Sequence, residues 1–430
     1  MNFIIDKKKF ELNLMILFVI ICFFSGILTY SSYMIENEYL KIWKEIYILL
    51  LGLFTCIFNF KFSRIKINYN FFFLFIILIF FLIEIIYSYL LGIAPVIIIY
   101  QLKNDLLLFL FAIYISIFFI SLNKDEIRVF SIKIIKIIIF LGIINAIAMI
   151  LQYVFFEQFI NLIGLEMGNW GTKVGLKITT VGESLRPIGF QFGFVQAATL
   201  VYISFIIMNE NKFYKIKYKF IKYLFNIIFI TAIILSTYAT SIIGAIIYIG
   251  IKSINKLFKL NLFIIPSIMI FLLFIYTTHC FDIYDIVSKI SPSKAYTSIF
   301  LRVEQHLQII NDVSQNLGSI FWGIGLGVNG LFGLDKELYG IVALATDSTY
   351  IYILSNYGFI GVIIYVFILF YYMLVFYKND LLGIKYCLFY ILIVDFFFNN
   401  TIVNFPVNFL IILLVCMSIR LKDLNIISEK

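Results

Sequence analysis

Arg186 and Arg302 are the residues of this chain whose chemistry is hardest to assign to packing. Arg186 precedes Pro187 at the start of an apolar run, and Arg302 lies within Ser298–Val313. A guanidinium presents a planar fork of donors that fits phosphate oxygens in pairs. His306 follows Arg302 by four residues, which puts both on one helix face. Phe300, Val303, Leu307, Ile310 and Val313 recur at helical spacing, so an amphipathic helix is predicted, with Ser298 as N-cap and Gly318 as its stop. Asp347 opens a later apolar run, where a carboxylate is either a cap favoured by the helix dipole or a base at the mouth of a bundle. Plainer readings stand beside these. Arg186 also suits an interfacial snorkelling residue, and Arg302 with His306 a solvated helix face.

Other polar residues sit inside apolar surroundings. Glu84 and Asp395 are carboxylates within long apolar runs, near their ends, where they either serve a function or reach interfacial water. Asp395, followed by Asn399 and Asn400, is a candidate to line a polar cavity, as is Tyr350. Phe321–Gly330 carries Gly323, Gly325, Gly327 and Gly330, a spacing that invites a phosphate-loop reading. A dinucleotide loop needs a preceding strand and a following helix, which this context lacks. The glycines therefore predict a tight turn, or backbone N–H groups open to an anion. His279 and His306 are the only histidines, far apart and with no acidic pair at ligand spacing, so no metal site is expected. No Ser-His-Asp set can be assembled, and no cofactor is implied.

These residues are carried by an unusually apolar chain. Of 430 residues, 63% are hydrophobic and only 13% charged. A water-soluble surface cannot be built from so few charges, so soluble enzymes, disulfide scaffolds and disordered chains are excluded. The apolar runs are continuous rather than alternating, which excludes a barrel. Cys22, Cys56, Cys387 and Cys416 lie inside apolar runs and Cys280 at an edge, so no disulfide framework is expected. The net charge of +9 does not imply nucleic acid, because the lysines follow the spans.

A bilayer core needs about 20 apolar residues per helix. That ruler predicts an all-α membrane protein of about twelve spans, at 13–32, 43–60, 71–91, 104–122, 133–156, 188–208, 222–238, 240–252, 260–278, 348–377, 381–398 and 402–420. Lys7, Lys8 and Lys9 precede the first run, which has no small-residue cleavage site and is read as a retained span. Ser236–Ser241 reads as a tight turn between two spans, and the apolar piece at Pro95–Ile99 as an interfacial lead into the fourth. With the N-terminus inside, 23 of the 33 Lys and Arg residues fall on the cytoplasmic side, which sets both termini there.

Two outward connections are long, at Glu157–Pro187 and His279–Asp347. Long loops in compact proteins are usually functional or disordered, and the second keeps core-like residues, so it is expected to fold over the outer face. The chain therefore divides into 1–278 with its external loop at 157–187, the large external loop at 279–347, and the last three spans at 348–430. No matched halves of the kind found in rocking transporters are visible.

Four landmarks, in order, resemble the O-antigen polymerase and O-antigen ligase superfamily of bacterial surface polysaccharide assembly. They are Arg186-Pro-Ile-Gly189, the turn from Ser236 to Gly244, Arg302 with Trp322–Gly327, and Asp347–Gly361 with its Tyr-Gly-x-x-Gly ending. They cover about Arg186 to Gly361; the first half is similar in span count and hydropathy. Ligases of that family usually carry a His-Asn pair where this chain has Asp347-Ser348, which leans the resemblance towards a repeat-unit polymerase.

The resemblance implies glycosyl transfer at the outer face of the cytoplasmic membrane. The donor would be an oligosaccharide on undecaprenyl diphosphate, and the acceptor a sugar hydroxyl on another lipid-linked unit. Arg186 and Arg302 would stabilise the departing diphosphate. Asp347, with His306 second, would be the base. Tyr296 and Tyr339 could stack on sugar faces. A chain-length regulator would be a further partner, and nucleic acid none. A ligase and a flippase for the same lipid-linked sugars are the competing readings.

Overall fold

The computed structural model describes residues 7–36, 42–59, 69–164, 176–181, 184–254, 264–290, 297–329, 346, 348–376, 380–394 and 400–424. They are overwhelmingly helical. The first half comprises α1 (Lys7–Phe23), α2 (Ser25–Met34), α3 (Trp43–Asn59), α4 (Tyr69–Leu90), α5 (Pro95–Ser121), α6 (Lys124–Val154) and α7 (Phe156–Leu162). A two-residue antiparallel hairpin follows, β1 (Thr180–Val181) and β2 (Ser184–Leu185). The second half comprises α8 (Phe194–Glu210), α9 (Lys219–Leu235), α10 (Ala239–Ile254), α11 (Ile264–Thr278), α12 (Cys280–Ile290), α13 (Thr297–Val313), α14 (Leu317–Trp322), α15 (Thr349–Phe376), α16 (Ile384–Val394) and α17 (Val407–Asp423).

Among the described residues, α5, α6 and α15 are each long and apolar enough to cross a membrane. At 1.5 Å per residue, the 27 to 31 residues of these helices exceed the roughly 30 Å of a hydrocarbon core. A fourth candidate is the pair α1–α2, bent by 73°. The other apolar helices are shorter, α8 among them at 17 residues.

The apolar-run ruler misplaced several boundaries, for identifiable reasons. The run at 13–32 is broken at Phe24. There the backbone of Gly26 turns aside to donate to the carbonyl of Phe190 (2.9 Å). The piece at Pro95–Ile99 is no separate lead but the first turns of α5, where Pro95 occupies a position that needs no N–H. The helix of the fifth run starts at Lys124, because Asn123 and Glu126 form a reciprocal capping box at 2.9 Å each way. The sixth helix starts only at Phe194, since residues 188–193 are consumed by a turn. The predicted amphipathic helix forms as α13 but ends at Val313, ahead of Gly318. Asn316 then caps α14 through Ser319 N (2.8 Å).

The core sits where α6 packs against α1, α8 and α9, and where α5 packs against α3 and α17. The stripe predicted for α13 is a packed face: Val303, Ile310 and Val313 are buried, and the helix lies on α12 and α15.

Candidate functional site

Arg186 is positioned from below by α6. Its N–H donates to the carbonyl of Thr179 (3.0 Å), which ties it to the end of the hairpin. The next residues form a turn whose polar backbone is taken up by two side chains of α6. Gln152 Oε1 accepts from the amides of Ile188 (3.0 Å) and Gly189 (2.8 Å), and its Nε2 donates to the carbonyl of Gly189 (2.8 Å). Asn145 Oδ1, fully buried, accepts from Phe190 N (2.9 Å). Gly189 holds a positive φ of 56° with its Cα facing Asn145, so this conformation excludes a side chain. Gln191 extends the clamp to the break in the first helix, donating to Phe23 O (2.6 Å) and accepting from Ser25 Oγ (2.7 Å).

The guanidinium of Arg186 rests on the ring of Phe194, 4.6 Å from its centroid. Phe194 in turn meets Tyr238 edge-to-face at 5.6 Å. Tyr238 belongs to the predicted tight turn, which forms between α9 and α10 and is held by Ser236 Oγ accepting from Tyr238 N (3.2 Å). Arg302 lies close enough for its charge to act on Arg186. Burial first, and the like charge of Arg302 second, push Arg186 below the usual guanidinium range, while Tyr238 opposes the shift. Arg186 Nε makes no hydrogen bond among the described residues. Residues of the first three landmarks thus lie within charge range: Arg186 on the aromatic floor of Phe194, with Tyr238 and Arg302 near enough to act on it. Two converging cations suit a dianionic group far better than they suit each other.

His306 goes elsewhere. It is buried on α13, with Nδ1 at 2.9 Å from the hydroxyl of Tyr276 and its ring edge-on to that tyrosine. Tyr350 is wholly buried, and its hydroxyl donates to the carbonyl of Leu392 (2.7 Å), so it joins α15 to α16. Asp347, Asp395, Asn399, Tyr296 and Tyr339 lie outside the described residues. At the start of α15, Ser348 Oγ accepts from Ile351 N (3.3 Å).

The glycine-rich turn is packed rather than open. The amide of Ile324 donates to Ser355 O (2.8 Å), that of Leu326 to Ser88 Oγ (2.9 Å) and that of Gly327 to Asn356 Oδ1 (2.8 Å). These N–H groups are spent within the protein and are not offered to an anion. Gly323 lies directly against Gly358, where α15 departs from helical geometry at a φ of 61°. The third and fourth landmarks are therefore joined by a close glycine-to-glycine approach.

The sequence reading named Glu84 but missed Asp105. Asp105, on α5, accepts from Tyr352 (2.9 Å), from Gln101 Nε2 (2.6 Å) and from the hydroxyl of Tyr357. Glu84 on α4 lies in charge range of Tyr357 and Tyr87, fully buried, with neither carboxylate oxygen hydrogen-bonded among the described residues. The available signal was the Gln101/Asp105 pair at helical spacing. Lys177 was also passed over: it is exposed and pairs by its backbone with Gly193, on the Arg186 turn.

The chain matches no known family model, no curated protein and no solved structure. What it is, at the level its fold defines, is a helical protein with several helices suited to a membrane.

Proposed function

We propose that this chain is a polymerase of lipid-linked oligosaccharides: a twelve-span protein of the cytoplasmic membrane, both termini inside, that works at the outer face. The observation that carries the reading is the convergence of Arg186 and Arg302 beside Tyr238. These residues come from three of the four landmarks that resemble the O-antigen polymerase and ligase superfamily. Two cations brought together at this cost suit a diphosphate leaving group.

In this mechanism the acceptor hydroxyl attacks the anomeric carbon of the sugar on undecaprenyl diphosphate. The new glycosidic C–O bond forms as the bond from that carbon to the phosphate oxygen breaks. The electron pair leaves with the diphosphate, whose charge Arg186 and Arg302 neutralise. The hydroxyl proton passes to a base, for which Asp347 is assigned. No nucleotide is needed, because the donor already carries its leaving group.

The test is a gel of surface glycan and lipid-linked intermediates from a deletion strain. Collapse of a ladder to a single repeat unit supports the polymerase. Full-length chains stranded on the carrier would assign a ligase instead. Single units trapped on the cytoplasmic face would assign a flippase and end the enzymatic reading.

A further inference from the structure

A second polar site lies at the far end of α8 from Arg186. Phe194 begins that helix and Glu210 ends it, a separation of about 24 Å along the axis. There a cavity of about 620 Å³ opens between α8, α9 and α10. Its polar lining is Asn209, Asn226, Tyr248 and Lys252, and its apolar lining includes Phe205 and Ile230.

The polar groups are already organised. Glu210 Oε1 accepts from Tyr248 (2.5 Å) and from Lys252 Nζ (2.7 Å). Lys222 lies within charge range of both Lys252 and Glu210. Lys252 is thus in contact with the carboxylate and Lys222 in charge range of it, which leaves an excess positive charge beside the cavity. Asn209 Nδ2 donates to Asn226 Oδ1 (2.8 Å), which fixes Asn226 with its own amide N–H groups turned from that bond.

The surroundings distinguish a lipid from a soluble anion. Ile227, Ile230 and Ile249 are exposed along the flank of the cavity, where a free phosphate would gain nothing. The approach to α9 carries exposed Lys212, Lys215, Lys217 and Lys219, interleaved with exposed Tyr218 and Phe220. These lysines and rings draw anionic lipid to this face collectively, outside the cavity that holds one headgroup.

We propose that this cavity binds the headgroup of an anionic phospholipid, with its phosphate on Lys222, Lys252 and Asn226 and its acyl chains along the exposed isoleucines. The site is independent of the glycan reading.

The experiment is a native mass-spectrometric titration of the purified full chain with phosphatidylglycerol, phosphatidylcholine or inorganic phosphate. Preferential retention of phosphatidylglycerol is expected. Lys222→Gln should weaken it about fivefold, the effect of one lysine near an anionic headgroup. Lys217→Gln, on the exposed approach, should leave it nearly unchanged. Ile230→Trp, which narrows the cavity without altering charge, should weaken the preference, and it decides the matter should Lys222→Gln fail to fold. Equal retention of both lipids would overturn the proposal. So would a loss in Lys217→Gln as large as in Lys222→Gln, which would mean diffuse surface charge. Competition by inorganic phosphate at matched concentration would also overturn it, in favour of a soluble anion.

Discussion

Arg186 and Arg302 lie near enough that the charge of one disfavours the charge of the other. Arg186 comes off a hairpin clamped to α6, and Arg302 from the first turns of α13. Like charges in range of one another are a cost to Arg186, which folded proteins keep where function requires it.

Replacing Arg302 with Gln should therefore separate stability from function. The melting temperature of the purified protein should change by no more than a few degrees, since Arg302 is only half-buried. Polymer length on a glycan gel should collapse, with the rate falling about a hundredfold for one lost cation at the leaving group. Normal polymer from a well-expressed Arg302→Gln chain would remove Arg302 from the site.

Gln152→Ala tests whether the clamp sets the position of Arg186. Three hydrogen bonds to the turn are lost, at roughly 1 kcal/mol each. Chemical denaturation should show a loss of about 2–3 kcal/mol. Polymerisation should fall with it although Gln152 touches no substrate, and a donor analogue should bind more weakly.

Gly358→Ala should be the most damaging small substitution. The backbone there has a positive φ, and an added Cβ would run into the carbonyl of Phe321. A cost of about 3 kcal/mol or more is expected from strain and clash together. Loss of folded protein in size-exclusion chromatography would report it, with Gly250→Ala, where space is open, as the tolerated control.

Two carboxylates should respond in opposite senses. Tyr357→Phe removes a donor from Asp105 and should destabilise by about 1–3 kcal/mol. Glu84→Leu removes a buried carboxylate that has no hydrogen bond among the described residues, and should leave the melting temperature level or raise it. A fall in stability for Glu84→Leu would show that this carboxylate has a partner that matters.

The helical class, the amphipathic α13 and the tight turn before α10 are legible in the amino-acid order alone, because hydrophobic period and local turn chemistry are properties of neighbouring residues. It also singled out Arg186 and Arg302, since cations are scarce among apolar runs. Helix boundaries were less legible. A ruler that counts apolar residues starts the fourth span at Asn104, yet the helix carries on back through Lys103 and Gln101 to Pro95. A polar residue is admitted to a buried helix when a distant side chain satisfies it, as Tyr352 and Tyr357 do for Asp105. The same reason decided the glycine turn: Ser88, Ser355 and Asn356 take its amides, and none of them adjoins it in sequence. Only the tertiary structure brought Arg186, Tyr238 and Arg302 together and sent His306 to Tyr276, because a meeting between distant segments depends on how whole helices pack, and local spacing carries no record of it.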